Sequence, residues 1–234
     1  MRIYIIRHGD PDYEHDSLTP LGWRQAEALG AYLEGLPLKW LYASPYGRAQ
    51  DTARPAARRL GLEVELLPWV REMTDVTVSS EIRDDLAVWN IPPWQLERMD
   101  RSTGTWQENA AFRGTPLRSR MAEMAGGLEA LLNIHGIQKT PEGWRFQEAP
   151  GPEGDLAIFC HQGAGLTLLA CLLGICPIDM WRAAYISPSS VTTVLAEETG
   201  DGRCNFRMLG MGEVSHLLLK GVPPCPAGLL YNER

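Results

Sequence analysis

Short apolar runs alternate along the chain with longer stretches in which apolar residues recur every three or four positions. The first run, Ile3-Tyr4-Ile5-Ile6, is rich in β-branched and aromatic residues and predicts a buried strand near 2–6. The pattern then predicts a helix near 20–35, a strand near 39–42, a helix near 47–60 and a strand near 63–66. Leu18-Thr19-Pro20 opens the first helix, with Pro20 at its first position. Residues 73–136 read as a helical insertion, broken at Pro92-Pro93 and around Gly114-Thr115-Pro116. Thr115-Pro116 is expected to cap a helix running to about His135. Ile137-Gln138 and Trp144-Arg145-Phe146 flank a turn and predict a small hairpin. A strand over 155–160 precedes the apolar helix Leu166 to Leu173, which Gly174 ends. Strands over 190–197 and 203–209, joined by Thr199-Gly200-Asp201-Gly202, form a second hairpin. The proline-containing tail from Gly221 reads as an extended surface segment. Strands alternating with helices indicate one α/β domain over 1–234.

Chemistry gathers where the strands end. The first strand runs into Arg7-His8-Gly9, placing a cation and an imidazole at the C-terminal edge of a sheet, where ligands bind in open α/β folds. Histidine can act as a nucleophile, and arginine offers a planar fork for phosphate oxygens. The second strand leads into Ser44-Pro45-Tyr46-Gly47-Arg48, where Ser44 can cap the coming helix. Arg48 falls in that helix's first turn and opposes the helix dipole, so it is better suited to an anion than to stabilising the helix. A third strand leads into Cys160-His161-Gln162-Gly163, and Glu72 follows the apolar run Leu66 to Val70. Arg7, His8, Arg48 and His161 are therefore expected to converge at one sheet edge, with Glu72 nearby.

These segments resemble the histidine phosphatase superfamily, in its phosphoglycerate-mutase-like phosphatase branch. The likeness rests on Arg7-His8-Gly9, on Leu18-Thr19-Pro20-Leu21-Gly22 with Gln25-Ala26, and on Ser44-Pro45 with Arg48-Ala49 and Thr52-Ala53. Arg71-Glu72 and Cys160-His161-Gln162-Gly163 complete it, in the family's order and near its spacing. The resemblance implies a three-layer α/β/α sandwich with a mostly parallel central sheet and a helical lid insertion at about 73–154. It also implies His8 as the nucleophile that forms a phosphohistidine, Arg7, Arg48, His161 and Gln162 as phosphate ligands, and Glu72 as the proton donor to the leaving oxygen. Neither metal nor cofactor is implied; the partner is a small phosphorylated substrate.

Several positions depart from the family's pattern. Tyr13-Glu14 stands where a Trp-Asn pair is common, and a carboxylate cannot donate to phosphate, so Glu14 is expected to point outward. Gln162 replaces a common glycine. Met73-Thr74-Asp75-Val76 replaces the run usual after the acidic residue, which makes Asp75 an alternative acid. Trp69, Trp89, Trp94, Trp106 and Trp144 fall in or beside the insertion and read as packing residues, or as an aromatic wall for the alcohol of the substrate. Arg113, Arg118 and Arg120 read as a solvated helix face, or as partners for a second anion. His15, His135 and His216 read as surface or loop histidines.

Composition narrows the partners. The chain has 234 residues, 44% of them hydrophobic, enough for one sizeable core. A net charge of −7 argues against a nucleic acid or a membrane surface as partner. The five cysteines lack paired spacing and read as reduced thiols of a cytoplasmic protein. No signal peptide precedes the first strand, and the apolar stretch Gly163 to Cys176 is too short to span a bilayer. The reading that follows is a metal-independent phosphomonoesterase. A phosphoglycerate-type mutase and a non-catalytic regulatory protein on the same fold are the alternatives.

Overall fold

The computed structural model describes residues 1–102, 104–148, 151 and 153–229. The chain opens with strand β1 (Arg2–Arg7), followed by a two-residue pair, β2 (Pro11–Asp12) and β3 (Ser17–Leu18), and by helix α1 (Pro20–Leu33). Thr19 caps α1, its side chain accepting from the Gly22 N–H at 3.1 Å. Strand β4 (Leu38–Ala43), helix α2 (Gly47–Leu60) and strand β5 (Val64–Leu66) come next. The segment after β5 differs from the predicted helical insertion. It holds three-residue 3-10 turns, a small hairpin of β6 (Thr77–Val78) and β7 (Leu86–Ala87), and the single-turn helix α3 (Pro93–Leu96). Its only long element among the described residues is α4 (Leu117–Ile134). Closely spaced prolines and glycines over 92–116 interrupt the periodicity that a longer helix needs. Pro116 occupies the N-cap of α4, and Thr115 Oγ1 accepts from the Leu117 N–H at 3.3 Å.

The hairpin β8 (Ile137–Thr140) and β9 (Gly143–Phe146) follows, then β10 (Asp155–Cys160), α5 (Gln162–Leu173) and α6 (Pro177–Ala183). The chain continues through β11 (Val191–Glu198), β12 (Arg203–Glu213) and α7 (Ser215–Leu219). Eight strands form one sheet in the order β5-β4-β10-β1-β11-β12-β9-β8. Strands β5, β4, β10 and β1 run parallel, and the other half of the sheet is antiparallel. Because β1, β4 and β10 are parallel neighbours, their C-terminal ends, at Arg7, Ala43 and Cys160, share one edge.

The alternation within each strand divides the core into two layers. Tyr4, Ile6, Ala157 and Phe159 pack on one face with Leu29 and Leu33 of α1 and Ala53 and Ala56 of α2. Ile3, Ile5, Leu156 and Ile158 face the other side, where Leu128 of α4, Leu168 of α5 and Ile178 of α6 cover them. Helices on both faces of the sheet complete a three-layer α/β/α sandwich, and β1 and β10 are buried between them as near-continuous apolar runs. Among the described residues no helix is long and apolar enough to cross a membrane.

Candidate active site

The shared edge assembles the site. Beyond β1, the His8 N–H donates to the Cys160 carbonyl at 3.0 Å, so β1 and β10 stay locked in register past their last paired residues. The Ser189 N–H donates to both the Arg7 and His8 carbonyls, at 3.1 and 2.9 Å. Thr52 Oγ1 accepts from the Gly9 N–H at 2.9 Å and donates to the Arg48 carbonyl at 2.7 Å, tying the loop after β1 to the first turn of α2. These bonds use backbone groups that have no partner at strand ends, so the loop's position is fixed by hydrogen bonding.

His8 is buried, and its Nδ1 lies 2.7 Å from the Gly9 carbonyl. A carbonyl can only accept, so Nδ1 carries the proton and Nε2 holds the lone pair. Burial, then the charges of Arg7 and Arg48, holds the imidazole's pKa well below its ordinary value, so the ring is neutral. His161, also buried, lies with its ring centroid 5.2 Å from that of His8, and burial and the nearby positive groups likewise depress its pKa. His161 Nε2 sits 2.7 Å from Ser44 Oγ, which accepts from the Tyr46 N–H at 3.3 Å. Ser44 was expected to cap α2; it instead holds His161, and Tyr46 occupies the N-cap without a side-chain bond.

Both arginines are buried and only partly satisfied. Arg7 Nη1 donates to Gln162 Oε1 and to the Ile186 carbonyl, each at 2.8 Å, and Nη2 donates to the Ala227 carbonyl at 2.7 Å. Arg48 Nη1 pairs with Asp16 Oδ1 at 2.5 Å, and its guanidinium lies over the rings of Tyr46 and Tyr13 at 4.7 and 5.5 Å. Arg7 Nε, Arg48 Nε and His161 Nδ1 are buried with no hydrogen-bond partner among the described residues. Three buried, unpaired nitrogens around one histidine are costly unless an acceptor-rich group binds there. A tetrahedral oxyanion is such a group.

Glu72 is buried at the start of α5. Its carboxyl accepts from the Met73 N–H at 3.1 Å, the Gly163 N–H at 3.1 Å and the Ala164 N–H at 2.8 Å. Burial pushes its pKa up; the three amides and Arg7 pull the other way, and burial prevails. A bound oxyanion would add to the upward shift, because like charge disfavours the carboxylate. Asp75 lies away from this group: it is exposed and paired with Arg120 Nε at 3.4 Å. Glu14 is exposed, while Tyr13, 65% exposed, stands over Arg48 at the rim.

Other sequence expectations fall elsewhere. Arg118 is exposed beside Glu108, and Arg120 is buried against Glu123, Asp75 and the Arg71 carbonyl, so neither faces the site; Arg113 is exposed. His135 and His216 are not surface residues. His135 is buried with Nε2 2.8 Å from the Tyr42 hydroxyl, and His216 is buried against Ser189 and Tyr32. Trp106 is a core residue, Trp69 and Trp144 pack against the core, and Trp94 is 42% exposed. Trp89 alone of the five reaches the site: a Cβ on Gly163 would lie 2.3 Å from its ring and 2.8 Å from Glu72 Oε1. Gly163 therefore permits the indole to lie against the start of α5, beside the acid.

The tail is not a free surface segment. Gln25 Nε2 donates to the Pro223 carbonyl, Cys225 Sγ to Asp10 Oδ1, Ser187 Oγ to the Cys225 carbonyl, and Tyr185 Oη to the Ala227 carbonyl. This strap crosses the site's edge and reaches Arg7. Gly228, at a φ of +94°, comes so close that an added Cβ would lie 2.8 Å from Arg7 Nη2. Prolines gave no cue to this docking, because most of its contacts are made by backbone carbonyls. Asp16 and Ser189 were also not singled out from the sequence. Both adopt positive φ, 46° and 62°, which side-chain type alone does not announce. Among the described residues, no three His, Cys, Asp or Glu side chains gather as a metal-ligand set.

Comparison with known proteins places this edge in context. The histidine phosphatase superfamily (branch 1) matches residues 3–138, more than half of the chain. A probable phosphoglycerate mutase, GpmB, of Erwinia tasmaniensis is 25% identical over 228 residues, covering 93% of this chain and 95% of that protein. Among solved structures, a mycobacterial glucosyl-3-phosphoglycerate phosphatase matches with a TM-score of 0.62 at 22% identity, over 91% of this chain and 99% of that one. Phosphoserine phosphatase from Entamoeba histolytica, solved with 3-phosphoglyceric acid, matches with a TM-score of 0.58 at 17% identity, over 92% and 98%. At these identities the two solved structures establish a likeness of fold.

Proposed function

The chain belongs to the histidine phosphatase superfamily, branch 1, and on that premise we propose that it hydrolyses a small phosphomonoester through a phosphohistidine on His8, without a metal ion. The observation that carries the reading is His8 itself: a neutral imidazole with Nδ1 engaged by the Gly9 carbonyl, near two buried arginines whose Nε groups have no hydrogen-bond partner among the described residues. In this reading Nε2 attacks phosphorus and the P–O bond to the alcohol breaks. Glu72 gives its proton to the departing oxygen. The resulting carboxylate then takes a proton from water as the water oxygen attacks phosphorus, the P–N bond breaks, and inorganic phosphate leaves with His8 restored.

Arg7, Arg48 and His161 stabilise the charge on the three non-bridging oxygens of a loose transition state, with the Gln162 amide as a further donor. Because the donors are fixed by packing before substrate arrives, little reorganisation accompanies the reaction. The two carboxyl states that Glu72 must visit suit its surroundings: burial favours the acid, and the three amides stabilise the carboxylate. A phosphoglycerate-type mutase would use the same phosphoryl chemistry, and the name of the Erwinia relative favours it. The difference lies in whether the phosphohistidine is kept from water long enough to pass its phosphoryl group to a second acceptor.

Phosphate release from a panel of phosphomonoesters, with EDTA present and no added cofactor, tests the reading. The expected outcome is release by the wild-type protein that disappears in His8→Ala. Equal release by a correctly folded His8→Ala protein would refute it.

A further inference from the structure

We propose that the cavity beside Trp89 is the subsite for the alcohol of the substrate, and that it takes a neutral, planar, apolar group in preference to one bearing a second anion. The inference rests on the phosphomonoesterase reading and names its substrate class. The cavity encloses about 240 Å³ and lies between Trp89 and Ile91 of the insertion, the end of α6 around Trp181 and Ala184, and the strap at Gly228 and Leu229. Gln162 lines it as well. It therefore adjoins the phosphate end at two points. Gln162 Oε1 is bonded to Arg7, and the Trp89 ring lies on Gly163, whose N–H is bonded to Glu72. In this proposal a group leaving phosphorus on the Glu72 side enters the cavity past Gln162 and Trp89, the two residues that border both.

The walls decide what enters. Trp89, Ile91, Pro93, Trp181 and Ala184 present apolar surface, and a cavity of about 150 Å³ is already enough for benzene. The one cationic side chain that lines the cavity among the described residues is Arg182. It is already held by Glu97 at 3.2 Å and Asp179 at 3.9 Å. Its Nε is buried without a hydrogen-bond partner among the described residues, but a carboxylate or second phosphate placed here would lose its water for one N–H of a guanidinium whose charge two carboxylates already offset. A one- or two-ring alcohol would instead bury apolar area against indole and aliphatic walls. This separates the chain from an enzyme whose substrate carries a carboxylate beside its phosphate.

Calorimetric titration with non-hydrolysable phosphonates tests the subsite apart from turnover. 2-Naphthylmethylphosphonate is expected to bind about tenfold or more tightly than methylphosphonate, and a phosphonate carrying a carboxylate no better than methylphosphonate. Ala184→Trp, which fills the cavity, should reduce the naphthyl preference to near one. Ala183→Arg, at an exposed wall position that tolerates a long side chain, should favour the carboxylate-bearing ligand. Equal affinities for the naphthyl and methyl ligands, a preference for the carboxylate ligand in the wild-type protein, or an unchanged preference in both variants would overturn the proposal. The second arm is hydrolysis of 2-naphthylmethyl phosphate against ethyl phosphate, two alkyl leaving groups. Naphthyl-selective binding without hydrolysis of either ester would sustain the subsite and refute the phosphatase reading; hydrolysis without selectivity would do the reverse.

Discussion

The two ends of the pocket are built on opposite principles. At the phosphate end, Arg7, His8, Arg48, Glu72 and His161 are all buried, and they are held in place by the carbonyls of Gly9, Ile186 and Ala227 and by amides at the start of α5. At the alcohol end, 3-10 turns, the short α6 and the strap supply mostly apolar walls, with a cation already neutralised by two carboxylates. The first end pays for its buried charge with a rigid scaffold, because an unpaired buried donor is tolerated only where packing forbids it to move. The second end can change its residues without touching the chemistry. A fold arranged in this way can keep one reaction and vary its substrates.

Substitutions should separate the two ends. The largest effect belongs to His8→Ala, which should lower kcat by at least about 10⁴-fold on every ester, since no alcohol compensates for a missing nucleophile. Loss confined to some esters would blur the distinction. Glu72→Gln comes next. It should cost an alkyl ester about 10² to 10⁴-fold and an aryl ester less than about tenfold, because an aryl leaving group needs little protonation. Equal losses on both would remove Glu72 from the acid role.

A smaller and graded effect is that of pH. His8 must be neutral, and its depressed pKa keeps it so into acidic solution. Glu72 must be protonated, and its raised pKa extends that state upward. Activity on an alkyl ester should therefore fall with rising pH as Glu72 ionises, and fall on the acid side only once His8 gains a proton; Glu72→Gln should abolish the alkaline limb. Acid unfolding is a separate event, and His135 allows it to be recognised. Burial holds its folded-state pKa below the unfolded value. The unfolded chain thus takes the proton first, and stability declines as pH drops below about 6.5. His135→Phe should make the dependence of the melting temperature on pH less steep, since His216 shares the effect, and leave the pH profile of kcat/KM in place; a shift in that profile would show that the acid limb reports unfolding.

The contrast between the ends also explains what could be read in the sequence. The central layers were legible because β1 and β10 are uninterrupted apolar runs and each is followed at once by its polar turn. Parallel pairing then carried Arg7, His8, Arg48 and His161 to one edge. The insertion was less legible. The described residues of 73–116 fold into turns, the single-turn α3 and a hairpin of two-residue strands, which leave no period of 3.6 or 2 to detect. His135 and His216 looked like loop residues because each lies at or near a helix end, yet a hydroxyl partner, Tyr42 or Ser189, lets each be buried. The strap was invisible for a different reason. Apart from the bond of Cys225 Sγ to Asp10, its recognition runs through the carbonyls of Pro223, Cys225 and Ala227, and every residue carries a carbonyl. Trp89 stood among several tryptophans, and only the close approach at Gly163 singles it out.

The central claim is that phosphorus is transferred to His8 Nε2. The most direct measurement is to mix the protein with a rapidly hydrolysed aryl phosphate, quench in alkaline denaturant during turnover, and map the phosphoryl group by mass spectrometry. The account predicts an alkali-stable, acid-labile phosphoryl group on the peptide that contains His8, absent from His8→Ala. Turnover at full rate with the phosphoryl group on another residue, or on none at any quench time, would contradict it.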